Sequence, residues 1–235
     1  MKIKHAVILA GGKGSRLRPY TVVLPKPLMP IGNYSILELI ILQLKKYKFN
    51  RITLAVGYKA KLIQSFFGRG ENYGLKIDYV FEKKNLGTMG PLNLLKKIEK
   101  NFIVMNGDIL TDMNLSNFLK FHSRSNNLFT VAKKNKNVTI DFGVLKTKNN
   151  ILQKFFEKPV VKSEVSMGIY AVNKKIKDLI PSKRLFGFDN LMKKMLIQNL
   201  EVNTYAHKGI WLDIGRQEDY FKAIDIFKVK KNFFI

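Results

Sequence analysis

The sequence predicts an α/β protein built on a doubly wound sheet, mixed but mostly parallel, flanked by helices. Apolar runs of strand length alternate with helix-period segments up to about residue 127, which is the pattern of a parallel sheet covered on both faces. Beyond that point strands follow one another with less helix between them, as expected of a mixed half that completes the sheet. With 46% hydrophobic residues among 235, one domain can bury a sizeable core. We therefore read residues 1–235 as a single domain in two halves, about 1–127 and about 128–235.

Taken in order, His5 to Leu9 is a short buried strand, followed by a Gly/Pro-rich loop to Gly32. Ile36 to Tyr47 reads as a helix with Leu37, Ile40, Ile41 and Leu44 on one face. Arg51 to Val56 is a strand, Ala60 to Phe67 a helix, Lys76 to Phe81 a strand and Pro91 to Ile98 a helix. Phe102 to Met105 is a strand that runs into Asn106-Gly107-Asp108. Phe129 to Lys133, Phe142 to Lys146, Leu152 to Glu157 and Ser166 to Ala171 follow as strands. Helices return at Lys174 to Leu179, Asp189 to Gln198 and Gln217 to Phe227, and the tail from Lys228 reads as peripheral.

The absence of cysteine excludes disulfides, thiolate metal sites and cysteine nucleophiles. No stretch approaches the roughly 20 uninterrupted apolar residues of a membrane span. The longest apolar window, Ile36 to Leu44, is broken by Glu38 and Gln43. The chain reads directly into a strand without a signal-peptide layout, so the expectation is a soluble, cytoplasmic protein with no membrane partner. The formal net charge of +25 invites a nucleic-acid reading, but only seven of the 42 basic residues are arginine. The lysines are spread in pairs, such as Lys45-Lys46, Lys96-Lys97 and Lys193-Lys194, whereas nucleic-acid readers concentrate charge and use arginine for bidentate contacts. No nucleic-acid partner is expected. A positive field would still speed the arrival of polyanionic small substrates.

The segment carrying most information is Leu9 to Pro30, LAGGKGSRLRPYTVVLPKPLMP. Its three glycines within four positions let backbone N–H groups approach a phosphate chain, and Arg16 and Lys26 can neutralise phosphate charge. The dinucleotide fingerprint fails because Leu17 stands where its third glycine belongs. The P-loop fails because Gly14 follows Lys13 where Ser or Thr is needed. Asp108 lies at the carboxyl end of the strand FIVM, where open α/β sheets place ligands, and aspartate there is a typical Mg²⁺ ligand. The alternative role, capping the next helix, suits Asp112 or Asn114 better. Asp213 sits between Leu212 and Ile214 and needs a partner, either a cation or a salt bridge. Lys158 precedes Pro159, so its backbone is expected to be extended, with Glu157 and Lys158 on alternate faces. His5, His122 and His207 are isolated and lack metal-ligand spacing, and Trp211 reads as a core residue.

GGxGxRLxPxT followed by PKPLxP resembles the signature of the sugar-1-phosphate nucleotidylyltransferases, or sugar-nucleotide pyrophosphorylases. Further segments resemble that family in order: Leu86 to Leu92 (LGTMGPL), Asn106-Gly107-Asp108, Asp141 to Val144, Phe156 to Pro159, Met167 to Tyr170, and Trp211 to Gly215. The resemblance spans residues 9 to 220 and implies a Rossmann-like nucleotidyltransferase fold, with a nucleotide-binding first half and a sugar-binding second half. It implies that Leu9, Ala10, Gly11, Gly12, Gly14, Ser15 and Arg16 meet the nucleotide, together with Glu82, Gly87, Thr88 and Asp108. Gly143, Glu157, Lys158 and Gly168 would meet the sugar, Asp108 and Asp213 would hold Mg²⁺, and Arg16, Lys26 and Lys158 would serve catalysis. Met89 departs from the usual alanine, and no left-handed β-helix of the larger relatives follows, so acyl transfer is not expected.

The reaction so implied joins an NTP to a sugar 1-phosphate and releases pyrophosphate. The segment Phe81 to Asn85 resembles guanylyl-transferring members, which favours GTP with a mannose or heptose 1-phosphate and leaves UTP, CTP and dTTP open. Two rivals belong to other classes. A non-catalytic regulatory or sugar-nucleotide-sensing homologue would have lost at least one of Arg16, Lys26, Asp108 and Asp213, and all four are present. A basic nucleic-acid-binding protein would show clustered arginine. Homo-oligomerisation stays open.

Overall fold

The computed structural model describes residues 3–182 and 184–234. Strand β1 (His5–Ala10) leads through a 3₁₀ turn (Ser15–Leu17), helix α1 (Tyr20–Val23) and a second 3₁₀ turn (Lys26–Leu28) into the hairpin β2 (Pro30–Ile31) and β3 (Tyr34–Ser35). Then come α2 (Ile36–Lys46), β4 (Arg51–Val56), α3 (Ala60–Phe67), β5 (Lys76–Phe81), β6 (Asn101–Asn106), β7 (Ile109–Thr111) and α4 (Leu115–Ser125). The second half comprises β8 (Phe129–Thr139), β9 (Val144–Lys148), β10 (Ile151–Phe156), β11 (Val160–Asn173), α5 (Phe188–Ile197), β12 (Val202–Ala206), β13 (Trp211–Asp213) and α6 (Gln217–Phe234).

The main sheet has seven strands in the order β12-β8-β11-β6-β1-β4-β5. β5, β4, β1 and β6 run parallel, β11 is antiparallel to both β6 and β8, and β12 is parallel to β8. Alternation along β1 shows why both faces are covered. Ala6, Ile8 and Ala10 join a core containing the apolar stripe of α2, while Val7 joins a second core with Met89, Tyr170 and Leu191. Helix α2 starts at Ser35, whose hydroxyl accepts from the Glu38 N–H while the Glu38 carboxylate accepts from the Ser35 N–H, a reciprocal capping box. Asn114 caps α4 with a single side-chain hydrogen bond, accepting from the Asn117 N–H at 3.0 Å.

The sequence-based expectation of a helix at Pro91–Ile98 is corrected. Only a 3₁₀ segment, Gly90–Leu94, forms there. Proline at its second position and the buried Leu92 and Leu95 hold the chain flat against the second core, and too few residues remain before β6 for two helical turns. Lys174–Leu179 is likewise 3₁₀ rather than α. β8 and β11 are longer than their apolar stretches suggested, because the Lys-rich outer part of β8 pairs in solvent with Val160–Ser166 of β11. The tail docks: beyond a non-helical kink at Lys230, α6 reaches Phe234, which is 1% exposed and packs against Phe227. No described helix is long and apolar enough to cross a membrane.

Two histidines are buried in this fold. His5 Nε2 lies 2.8 Å from Thr53 Oγ1, and His122 Nδ1 lies 2.8 Å from Thr130 Oγ1. Burial pushes both imidazoles down to about 4, helped in His5 by the Arg51 charge and opposed by Asp78. An unfolded histidine takes up its proton near 6.5, so between 6.5 and about 4 the unfolded chain holds more protons than the folded one. Stability should therefore fall with pH across that window, by up to about 1.4 kcal/mol per pH unit for each histidine. Urea denaturation at pH 7, 6 and 5 reads this loss, and His5→Gln should reduce the slope. A flat profile would contradict neutral, buried imidazoles.

Candidate functional site at the carboxyl edge of the parallel strands

β4, β1 and β6 end side by side, with Ala10 opposite Val56 and Leu9 opposite Asn106, and each strand is followed by a glycine. A Cβ on Gly107 would stand 2.9 Å from the Leu9 carbonyl oxygen, and one on Gly57 would stand 3.0 Å from that of Gly11. The absent side chains let the three loops leave the sheet in contact with one another and open a cleft of about 230 Å³ above them. Leu9, Ala10, Gly12, Gly14, Ser15, Arg16, Lys26 and Asp108 line it. Gly14 adopts the left-handed conformation (φ 62°, ψ 31°) that starts the Ser15–Leu17 turn, and its carbonyl accepts from the Thr21 hydroxyl at 2.9 Å.

Lys26 and Asp108, 82 positions apart in sequence, form an ion pair at the floor of this cleft. Their side chains are 11% and 23% exposed, so the pair is largely removed from water. Asp108 spends only Oδ2 on Lys26; Oδ1 is buried without a hydrogen-bond partner among the described residues, as is Oδ1 of Asn106 two positions earlier. Asp213 reaches the same place by strand pairing. β13 lies antiparallel to β7 with Asp213 opposite Ile109, and the Ile214 N–H donates to the Asp108 carbonyl at 3.0 Å. Desolvation raises the Asp213 pKa and the nearby Asp108 carboxylate adds to it, while Lys26 and Arg16 pull it down and Asp219 pushes it up. Arg16 closes the ring, its Nη1 lying 3.6 Å from the point where a Cβ on Gly215 would stand.

This donor set fits a hard divalent cation. Two neighbouring carboxylates, one with an orphaned buried oxygen, destabilise each other until positive charge comes between them. Lys26 supplies part of that charge, and Asp213 makes no ion pair among the described residues.

Glu82 stands at the mouth. Its N–H donates to the Val56 carbonyl at 2.8 Å, and its carboxylate accepts from the Leu86 N–H at 3.4 Å. The side chain lies over Gly11, where a Cβ would fall 2.3 Å from Glu82 Oε1. Burial raises the Glu82 pKa, against the Leu86 hydrogen bond. Gly87, at φ 77°, lets the chain turn against the Phe186 carbonyl. The Thr88 hydroxyl accepts from the Phe188 N–H at 2.8 Å, so this side chain holds the start of α5, and Met89 is wholly buried beneath it.

The residues expected on the sugar side are spread more widely. Gly168 (φ 70°) sits in the irregularity of β11, pressed on Asn106 with no room for a Cβ. Gly143 and Glu157 meet at the base of the β9–β10 ribbon, a Cβ on Gly143 falling 3.4 Å from Glu157 Oε2. Lys158 beside them has φ +41°, which corrects the extended backbone expected before a proline. Here the β8–β11 ribbon passes into the β9–β10 ribbon, with residues 140–143 facing 157–159, and that corner requires a positive φ. The alternate-face argument for Glu157 and Lys158 fails with it. Neither side chain has a hydrogen bond or ion pair among the described residues, and neither lines the cleft. The sequence reading gave no role to Gly57, Asn106 or Asp219; Gly57 was legible as a glycine directly after an apolar strand and Asn106 stood in the Asn106-Gly107-Asp108 segment, while nothing marked Asp219.

A protein-family profile described as nucleotidyl transferase matches residues 5–228, nearly the whole chain. The chain belongs to this family. Among curated family members, mannose-1-phosphate guanyltransferase of Debaryomyces hansenii is 32% identical over 227 residues, covering 92% of this chain and 62% of the relative. UTP–glucose-1-phosphate uridylyltransferase of Synechocystis is 31% identical over 240 residues, covering 93% of this chain and 62% of that protein. The chain thus spans about 62% of the length of these nucleotidyl transferases. A crystal structure from Bacillus anthracis, provisionally named a glucose-1-phosphate thymidylyltransferase, superposes with a TM-score of 0.75 at 25% identity, covering 96% of this chain and 95% of that one.

If Asp108 and Asp213 hold Mg²⁺, the ion stabilises the folded state by mass action, by about 1.4 kcal/mol at ten times its dissociation constant. Thermal melts with and without Mg²⁺ should show an upward shift in the wild type and none in Asp108→Asn or Asp213→Asn. An equal shift in all three proteins would remove both residues from the ligand set.

Proposed function

We propose that the protein is a sugar-1-phosphate nucleotidylyltransferase, transferring a nucleotidyl group from an NTP to a sugar 1-phosphate with release of pyrophosphate. The observation that carries this reading is the Lys26–Asp108 pair, flanked by Asp213 and Arg16, in a glycine-lined cleft at the carboxyl edge of parallel strands. The family match and relatives that act on sugar 1-phosphates support it.

The reaction begins when a phosphate oxygen of the sugar phosphate attacks the α-phosphorus of the NTP. As that bond forms, the bond from the α-phosphorus to the oxygen bridging to the β-phosphate breaks, and pyrophosphate leaves with the electron pair. The nucleophile is already anionic, so no side chain has to remove a proton. What the site must overcome is repulsion between two polyanions. Backbone N–H groups of the Gly11–Ser15 loop and the Arg16 guanidinium receive the triphosphate. Lys26, held in place by Asp108, presents its ammonium to the α-phosphate. Asp108 and Asp213 would hold Mg²⁺, which would supply positive charge against that of the phosphates. Lys158 and Glu157 serve the acceptor from the ribbon, Lys158 for its phosphate and Glu157 for its hydroxyls.

GTP is the favoured donor, for a reason rooted in Glu82. An ionised carboxylate only accepts hydrogen bonds, and the edge of guanine offers two adjacent donors, N1–H and the N2 amino group. Uracil and thymine offer a single N–H between two carbonyl oxygens, which a carboxylate repels. The guanyltransferase similarity points the same way and favours mannose 1-phosphate as acceptor; a heptose 1-phosphate rests on the sequence resemblance alone. UTP and dTTP form the competing reading, supported by the uridylyl- and thymidylyltransferase similarities.

Pyrophosphate release, measured for the four NTPs against several sugar 1-phosphates with and without Mg²⁺, tests the activity. We expect Asp108→Asn and Lys26→Ala each to lower turnover at least about a hundredfold while circular dichroism stays native. Near-normal turnover in both would refute the assignment. Glu82→Gln should lower kcat/KM for GTP by about tenfold or more and raise the relative use of UTP or dTTP. An unchanged base preference would remove Glu82 from base recognition.

A further inference from the structure

A second cavity, larger than the catalytic cleft and sharing none of its lining, opens on the β4–β5 side of the sheet. Side chains of paired strands alternate between faces, and Thr53 is opposite both Val7 and Asp78. Arg51, Thr53, Asp78 and Val80 therefore share the face of Val7, the face of the second core. That core reaches β1 and, through Val80, β5, but takes no residue from β4, and the covering segment forms the short 3₁₀ turn Gly90–Leu94 in place of a full helix. The space left measures about 570 Å³, within the range of small-molecule sites.

Its chemistry is one-sided. The single carboxylate on its wall, Asp78, is taken by Arg51 at 2.8 Å. Lys76, Lys96 and Lys97 also line it, and none of the three has a side-chain hydrogen bond or ion pair among the described residues. Val80, Leu94 and Leu95 give the wall an apolar portion. Thr53 at the floor is held from the neighbouring strand by His5 on the same face. Nδ1 of His5 is buried without a partner, and a bare acceptor there is less costly than an orphaned N–H. The favoured tautomer thus carries its proton on Nε2 and donates to Thr53 Oγ1, leaving the Thr53 hydroxyl proton free to donate into the cavity. Three ammonium groups, a hydroxyl donor and an apolar wall, with no free acid, suit a polyanion that carries an organic body.

We propose that this cavity is a second, non-catalytic binding site for a phosphorylated ligand of nucleotide size. β5 runs from Lys76 in this cavity to Phe81, and Glu82 at the catalytic mouth is the next residue. Occupancy of the cavity is thereby one strand away from the donor side of the catalytic cleft, the position of an effector site.

Photolabelling with 8-azido-ATP, followed by peptide mass spectrometry, locates the ligand without reference to turnover. We expect adducts within residues 76–80 or 94–97 that persist in Lys26→Ala and fall at least about fivefold in the double variant Lys96→Glu/Lys97→Glu, two solvent-facing changes outside the catalytic machinery. Absence of adducts in those segments, adducts indifferent to the double variant, or adducts abolished by Lys26→Ala would each overturn the proposal. Loss of labelling at residues 9–16 alone bears on the catalytic reading and leaves this site intact.

Discussion

β4, β1 and β6 run parallel and give way at one edge to Gly57, Gly11 and Gly107, two of which stand too close to a neighbouring carbonyl oxygen to carry a side chain. The rest of the site depends on that close approach. It seats the Gly11–Ser15 loop low enough to line a cleft with backbone, and it delivers Asp108 within reach of Lys26 across 82 residues of sequence. Strand pairing then carries Asp213 to the same point through β7 and β13. Each charged group is held by backbone geometry that the others do not determine, so the electrostatic arrangement is built before any ligand arrives. Preorganisation of this kind is what a reaction between two phosphates needs.

The two halves contribute unequally to that arrangement. The side proposed for the donor is built of loops that leave the strand ends at glycines and bury Leu17 and Pro27. The side proposed for the acceptor rests on paired ribbons, β8–β11 and β9–β10, whose outer residues are exposed on both faces. On the proposed reading, a site divided in this manner would keep one chemistry at the phosphates while the sugar pocket varies, in line with relatives whose names differ in base and sugar.

Much of this was legible in the sequence, and the reasons differ by element. α3 and β4 follow directly from apolar periodicity bounded by turn residues, and their ends agree with the structure residue for residue. Arg16, Lys26 and Asp108 were legible because glycine-rich loops after buried strands have few other uses. The helix expected at Pro91–Ile98 failed since a run such as PLNLLKKI satisfies helical spacing equally well when its leucines simply lie flat on a core. Lys158 failed for a longer-range reason. Its conformation is set by the junction of two ribbons, and a local rule about residues before proline contains no information about that corner. Docking of the tail was not legible, because nothing local in VKKNFFI distinguishes a buried Phe234 from a solvent-exposed one.

That docked tail has a mechanical consequence. α6 begins four residues after Asp213, its Tyr220 hydroxyl donates to the Pro30 carbonyl at 2.6 Å, and its Phe227 ring fills the space over Gly32 before Phe234 inserts into the core. The helix therefore acts as a tie-bar, joining the strand that bears one carboxylate to the proline-rich loop that bears the lysine ammonium. Spacing between those two opposite charges is governed as much by how firmly the last turns of the chain are anchored as by any residue in the cleft.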